Sequence, residues 1–333
     1  MKGIFQRSEQ EIKSVSVLSH KIEQLKRILK NCTLCPRKCG VDRTAGKLGL
    51  CGLPDGITLS RALAHFGEEP PISGTQGAGT IFMSSCNLKC IYCQNYQISH
   101  QTSGEQLDSE GLAGIMMMLQ EKGCHNIEPV TPTPQLPQIM EALMIARRRG
   151  LHLPLVYNCG GYENPEVLRI LEGMVDIYLP DFKYGLEDDA VVLSGARDYP
   201  QHALESIREM ARQVGAALEM EEGIAKKGLL IRHLILPGHI KNSLEVFRLI
   251  KEHISVSVPL SIMSQYTPMP AVKDHPRLGK RITRSEYEVV VNHALDMGFE
   301  TIYTQDVDDS ALAPDFAQKT PFNFEKVESI LRI

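Results

Sequence analysis

Apolar residues recur three or four apart from Ile12 through Val15, Leu18, Ile22 and Leu25 to Leu29, which predicts an amphipathic helix over residues 10–30. A cysteine-rich stretch, 32–51, follows, and the segment ITLSRALAHF (57–66) then reads as a strand. EEPPISGTQGAG (68–79) reads as a Pro/Gly-rich linker and a domain boundary. From residue 79 onward, short apolar runs alternate with helical spacings. Strands are expected at 79–85, 126–130, 153–158, 174–180, 228–237 and 258–265, with a seventh at 301–305. Helices fall between them. One spans 108–123 and starts at Asp108 or Ser109, a second spans 137–149, and a third opens at Asn164-Pro165 and ends near Glu172. A fourth, around 284–297, has Thr283 and Glu286 in capping-box spacing.

Such alternation predicts parallel strands with helical crossovers, hence an α/β fold, either a barrel or a doubly wound sheet. In both, chemistry collects where strands end at their carboxyl side, so the residues just after each strand are the first candidates for a site. The expected division is an N-terminal helix (1–30), a cysteine-rich accessory region (31–78), the α/β unit (79–305) and a C-terminal tail (306–333).

Composition narrows the function. Of 333 residues, 43% are hydrophobic and 23% charged, an ordinary globular balance. Lys and Arg number 36 against 40 Asp and Glu, a formal charge of −4, which argues against a nucleic-acid partner. The opening MKGIFQRSEQEIK lacks the apolar core of a secretion signal. The most apolar run, Leu112–Leu119, falls far short of the ~18 residues a membrane span requires. A soluble, cytoplasmic protein without membrane contact is therefore expected.

Nine cysteines carry most of the chemistry, seven of them within the first 93 residues. Dense, closely spaced thiols without a secretory context read as ligands for zinc or an iron–sulfur cluster rather than as disulfides. After the strand at 79–85 comes Cys86-Asn-Leu-Lys-Cys90-Ile-Tyr-Cys93-Gln-Asn95. Three thiolates from one short loop can wrap a four-iron cluster and leave one iron open to a non-protein ligand; a three-cysteine zinc loop is the bland alternative. Cys32, Cys35, Cys39 and Cys51 supply four more thiolates among glycines, which closes a coordination shell and suits structural zinc or an auxiliary iron–sulfur cluster.

The three-cysteine spacing at the end of a first strand resembles the radical S-adenosylmethionine (SAM) superfamily, and Tyr92 stands at its aromatic position beside the adenine. Cys93-Gln94-Asn95, Asp181-Phe-Lys183, IRHLILPG (231–238) and Asn158-Cys-Gly-Gly161 resemble elements of pyruvate formate-lyase activating enzymes. The Cys-x-x-Cys-Pro-Arg-x-Cys front end, the VTPT segment and the Gln-Tyr near 265 resemble the activating-enzyme-like branch, over residues 32 to about 300. This resemblance implies a partial (β/α)6 TIM-like barrel, a [4Fe-4S] cluster on Cys86, Cys90 and Cys93, and SAM chelated at the open iron. It also implies a low-potential electron donor of flavodoxin or ferredoxin type. The substrate would be the glycine of a glycyl-radical enzyme, a small molecule or a peptide. Tyr92, Asn95, Thr131, Thr133, Asn158, Asp181, Lys183 and Arg232 become cofactor-binding candidates. Asp181 and Asn158 would join a cation site or a ribose contact, and Arg232 the SAM carboxylate. Read as residues alone, Asp181–Lys183 is a salt-bridged strand end and Arg232 a structural pair.

One element departs from that family. Val130-Thr-Pro-Thr-Pro134 stands where activating enzymes carry a Gly-Gly-Glu that receives the SAM amino group, leaving the Thr131 and Thr133 hydroxyls or nearby carbonyls for the task. Cys124, Cys159, Met116–Met118, His65, His100, His233 and His239 read as packing or structural residues, and Arg147–Arg149 as a solvated helix end. Gln265 and Tyr266 are candidates to face a substrate. No cysteine follows Cys159, which argues against a C-terminal auxiliary-cluster domain. A non-catalytic iron–sulfur or zinc protein would not need the large α/β core that these patterns predict.

Overall fold

The computed structural model describes residues 9–307, 313–318, 321–322 and 330–332. Helix α1 (Glu9–Ile28) comes first, followed by the cysteine-rich loops and β1 (Ile57–His65). Next are the single turn α2 (Pro70–Ser73), β2 (Ala78–Met83), the single turn α3 (Tyr96–Ser99) and β3 (Glu105–Leu107). Alternation then sets in with α4 (Ser109–Glu121), β4 (Ile127–Val130), α5 (Leu136–Arg148), β5 (Val156–Cys159), α6 (Pro165–Ile170) and β6 (Ile177–Pro180). Helices α7 (Glu187–Ser194) and α8 (Tyr199–Val214) lead to the hairpin β7 (Leu218–Glu221) and β8 (Ile224–Leu229). The chain closes with β9 (Ile231–Leu234), α9 (Ile240–His253), β10 (Leu260–Met263), α10 (Arg284–Asp296), β11 (Ile302–Gln305) and β12 (Ile330–Arg332).

The parallel strands run β2-β4-β5-β6, and β10 carries β9 and β11 on its two sides. Between these groups, Asp181 bridges Arg232 and the Phe182 N–H donates to the Arg232 carbonyl at 2.8 Å, so β9 continues the wall begun by β6. Six strands from β2 to β10, with β11 as a seventh, form a curved α/β wall. Among the described residues no ladder joins β11 back to β2, whose outer edge pairs instead with antiparallel β1. This is a partial barrel of TIM-like type, the barrel alternative of the alternation and the form that the resemblance implies.

Local chemistry accounts for the element starts. The Asp108 carboxylate accepts from the Gly111 N–H at 2.7 Å, Asn164 accepts from Glu166 at 3.0 Å, and Thr283 with Glu286 completes a capping box. All six residues of β2 are buried, as a strand between two layers requires. Gly79 is obligatory there, because a Cβ would lie 2.3 Å from the Asn126 carbonyl oxygen of the neighbouring strand.

Several expectations change. The segment 68–79 is not a linker: Glu69, Pro71 and Ile72 are buried, and Pro70-Pro71 open the turn α2. Met116 is core, but Met118 is exposed, because three consecutive positions on a helix cannot all face inward. No element is read from sequence over 184–227 or 240–253, where the structure has α7, α8, β7, part of β8, and α9. Of the expected N-terminal helix, residues 1–8 lie outside the described residues, as do 308–312, 319–320, 323–329 and 333 of the tail. Among the described residues no helix is long and apolar enough to cross a membrane.

Candidate active site

The carboxyl ends of the parallel strands surround a cavity of about 520 Å³. Its most distinctive wall is the loop after β2. Ser85 and Lys89 adopt left-handed backbone, with φ of 79° and 54°, and the loop turns so that Cys86, Cys90 and Cys93 all face the cavity. The Leu88 N–H donates to Cys86 Sγ at 3.3 Å, and Ser99 Oγ–H to Cys93 Sγ at 3.3 Å. Burial, with Cys90 and Cys93 beside it, pushes the free Cys86 thiol up to about 12. A metal reverses that order, because a coordinated thiol loses its proton outright. All nine cysteines are unpaired with one another. Among the described residues no group of three or more His, Cys, Asp or Glu side chains is arranged around a single metal ion. Three thiols sharing one cavity, with hydrogen-bond donors already on two of the sulfurs, fit a multi-iron cluster with an open iron.

Around the cavity stand most of the sequence candidates. Tyr92 is buried, its ring edge-on to Tyr184 with centroids 6.4 Å apart. Asn95 lines the cavity, and Gln94 donates to the Gln265 carbonyl at 2.6 Å. At the end of β4, Thr131 takes a φ of 56°, rare for a β-branched residue, and its N–H donates to the Asn158 carbonyl at 2.8 Å. Asn158 Nδ2 donates to Glu128 Oε1 at 2.8 Å. After β6, Lys183 forms an ion pair with Asp181 beside the cysteine loop. Burial alone would lower the Lys183 ammonium, but Asp181, Cys90 and Cys93 hold it well above its usual value. Gly161, at φ 75°, permits this approach: a Cβ there would lie 2.1 Å from the Asp181 carbonyl oxygen.

Arg232, on β9, is held by a pair that sequence reading assigned to a linker. Its Nε donates to Glu69 Oε1 at 2.8 Å and its Nη2 to Glu69 Oε2 at 2.6 Å, while Glu68 forms a further ion pair with Nη2. Arg232 is thus paired while also lining the cavity. Burial raises the Glu128 carboxyl behind them to about 8, with Glu68 adding repulsion, and burial lowers the nearby His65. His65, read from sequence as structural, faces the cavity, as do Glu68 and Glu69, which were not singled out; their only signal was two adjacent acids ahead of Pro70-Pro71.

Two candidates lie elsewhere. Thr133 turns away from the cavity in the 3-10 turn Thr133–Gln135 and bonds Glu163 Oε2 at 2.7 Å and Tyr157 Oη at 3.1 Å, with 1% exposure. Tyr266 is buried in the core and donates to the Leu278 carbonyl, whereas Gln265 does face the cavity. His233 bonds the Phe182 carbonyl and Ser243, and burial lowers it to about 4, a structural histidine. Cys159 is buried on the cavity wall; Cys124 is buried away from it.

The second cysteine group also comes together. Cys32, Cys35, Cys39 and Cys51 border one small void, and a Cβ on Gly49 would touch Cys51 Sγ at 3.4 Å and Cys39 Sγ at 3.7 Å. The loops close through Cys32 N–H to the Val41 carbonyl and Gly40 N–H to the Cys32 carbonyl, both 3.0 Å, and Leu50 N–H donates to Cys39 Sγ at 3.2 Å. The four thiols border this one void without being drawn in around a single ion; four thiolates are the donor set of a closed metal shell.

The fold and site therefore define an α/β partial barrel with a cysteine-lined cavity at the carboxyl ends of its strands. No protein-family model matches the chain. An uncharacterized protein of Methanocaldococcus jannaschii is similar, 28% identical over 297 residues that cover 86% of this chain and 81% of that one. Two solved structures are also similar, native anSMEcpe with bound AdoMet and Cp18Cys peptide at a TM-score of 0.44, and native anSMEcpe with bound AdoMet at 0.43. Each is 12% identical; the matches cover 65% and 64% of this chain and 58% and 57% of those chains.

Proposed function

We propose that this protein is a radical SAM enzyme acting on a small molecule or peptide. One observation carries the reading: Cys86, Cys90 and Cys93, on one loop at the carboxyl end of the first parallel strand, share a 520 Å³ cavity with Asn158, Asp181 and Lys183. A [4Fe-4S] cluster held by those three thiolates would supply the electron that splits SAM into methionine and a 5′-deoxyadenosyl radical able to take a hydrogen atom from substrate.

The chain's own residues have definable parts in this reading. Lys183, charged and pinned by Asp181, balances the negative charge that Cys90 and Cys93 bring to the wall. Tyr92 offers an aromatic edge for the adenine. The Arg232–Glu68–Glu69 wall has one cation for two carboxylates, and the leftover negative charge favours a cationic cosubstrate. The electron itself must come from a low-potential donor of flavodoxin or ferredoxin type. Cys32, Cys35, Cys39 and Cys51 would hold a second metal, zinc or iron–sulfur.

The described part of the C-terminal segment supports the substrate class. Asp315, Gln318 and Phe322 line the cavity, Gln97 Nε2 donates to Asp315 Oδ1 at 3.1 Å, and Phe322 packs on Phe82 with centroids 5.2 Å apart. An activating enzyme must admit a partner's glycine loop, and a segment standing against the cavity leaves less room for one than for a small substrate.

The test is anaerobic reconstitution with iron and sulfide, then reductant and SAM, with 5′-deoxyadenosine quantified in wild type and Cys93→Ala. Product from wild type alone supports the reading. Iron uptake without SAM cleavage in wild type would overturn it in favour of a non-catalytic metal protein.

A further inference from the structure

Arg37, between Cys35 and Cys39, reaches out of its own cysteine group. Its Nε donates to the Asn87 carbonyl at 3.1 Å and Nη2 to the Leu88 carbonyl at 3.3 Å. Nη2 also reaches the Ser194 carbonyl at 2.8 Å, and Nη1 the Gly195 carbonyl at 2.6 Å, where α7 ends. The guanidinium carbon stands 5.3 Å from the centre of the Tyr162 ring, so the fork is held on its face as well.

The first of these contacts has a chemical consequence. The Asn87 carbonyl and the Leu88 N–H belong to one peptide group. Arg37 donates to its oxygen, and its N–H donates to Cys86 Sγ at 3.3 Å. A cation on the oxygen polarises the peptide and strengthens the bond its N–H gives to sulfur. On the other side of Cys86, buried Ser85 donates through Oγ–H to the Cys51 carbonyl at 2.5 Å. Cys86 is thus gripped on both sides by the four-cysteine segment, through Cys51 before it and Arg37 after it.

We propose that the four-cysteine segment is a clamp on the three-cysteine loop, and that Arg37 is the positioning residue that delivers a polarised N–H to the Cys86 sulfur. Metal held by Cys32, Cys35, Cys39 and Cys51 fixes the loop from which Arg37 projects, so loading of the distal site is transmitted to Cys86. Hydrogen bonds and positive charge near cluster sulfurs raise a cluster's reduction potential, and Arg37 supplies both at one thiolate. The effect on potential rests on the cluster reading given under Proposed function, and transmission of distal loading on the second metal given there; the Arg37 and Ser85 contacts themselves rest on neither.

The experiment has two arms on full-length protein prepared anaerobically with iron and sulfide, and separately with zinc alone. Hydrogen exchange follows the Leu88 amide in wild type, Arg37→Gln, Arg37→Lys, Ser85→Ala and Cys39→Ser. Arg37→Gln is expected to speed its exchange about tenfold, the loss of roughly one hydrogen bond, while the distal metal stays bound. Arg37→Lys, with the charge but not the fork, falls between. Cys39→Ser loses the distal metal and gives the same acceleration. In the second arm, an EPR-monitored titration of the cluster expects a more negative potential in Arg37→Gln at unchanged iron content, a change that merely structural loosening would not give with the cluster intact. Unchanged Leu88 exchange in both Arg37→Gln and Cys39→Ser would overturn the clamp, and an unchanged potential would overturn the tuning. Failure of wild type to take up a cluster would overturn the radical SAM reading and the tuning with it, while the exchange arm would still decide the clamp.

Discussion

Arg232 and Glu69 meet in the cavity wall through two near-parallel hydrogen bonds, Nε to Oε1 at 2.8 Å and Nη2 to Oε2 at 2.6 Å, although 163 residues separate them in the chain. This bidentate pair ties the segment between β1 and β2 to the far side of the barrel. Glu69 is 1% exposed and Arg232 8%. Removing one partner strands a buried charge. Arg232→Met is therefore expected to cost about 3–5 kcal/mol in urea unfolding, and the double variant Arg232→Met/Glu69→Met to recover a large part of it. Additive losses would mean that the pair is not coupled.

Glu128 gives a pH dependence of defined sign. Burial, with repulsion from Glu68, raises its carboxyl to about 8 in the folded protein, against 4.5 for a free glutamate. Below pH 4.5 both states hold the proton and the group is neutral to folding. As pH rises from there toward 8, the unfolded chain releases its proton while the folded one keeps it, so stability is lost across that window and levels off above it. Glu128→Gln, which cannot ionise, is expected to gain stability relative to wild type between pH 5 and pH 8. Denaturant melts at the two values check this; a constant difference would sink it.

Gly161 is a close glycine approach in the wall. Gly161→Ala would press a Cβ onto the Asp181 carbonyl oxygen from a positive-φ position, costing roughly 2 kcal/mol or more. Because Asp181 holds Lys183, on the proposed function the same variant should weaken SAM binding in calorimetry of the reconstituted protein. Normal SAM affinity in a destabilised variant would separate the Asp181–Lys183 pair from cofactor binding.

Thr131 and Thr133 are chemically alike but should behave oppositely. Thr131 sits at φ 56°, and Thr131→Gly is expected to stabilise the fold by about 1 kcal/mol through relief of left-handed backbone strain. Thr133→Val leaves the buried Glu163 oxygen without its 2.7 Å donor and should destabilise by about 1–3 kcal/mol. Equilibrium unfolding of the two variants compares them directly.

Lys183→Met removes the cation beside Cys90 and Cys93 and leaves the half-buried Asp181 without its partner. On the proposed function, SAM affinity should fall about tenfold or more. Titration calorimetry with SAM reads this, and an unchanged affinity would assign Lys183 to packing alone.

Much of what is local was legible in the chain, although α7, α8, β7 and α9 were not read from it. Strand–helix alternation follows from side-chain periodicity, so an α/β wall and its parallel strands could be anticipated, while the partial barrel was implied by the resemblance. Asp108, Asn164 and the Thr283–Glu286 box cap helices within three residues of themselves, and the two cysteine groups announce themselves by spacing. What the chain could not display is which distant partner a side chain would meet. Thr131 and Thr133 looked interchangeable until the turn after β4 sent one to the cavity and the other into the core. Arg232 looked ready for a carboxylate ligand until Glu68 and Glu69 arrived from a Pro/Gly-rich segment with no periodicity to mark it as buried. Arg37 reaches the Asn87 carbonyl across 50 residues. Sequence by itself determined most of the barrel's elements and the thiols, because hydrophobic period and ligand spacing act over a few residues. Only the tertiary structure decided the pairing of buried charges and the link between the two cysteine groups, because those depend on desolvation and on distances that exist only once the chain has folded.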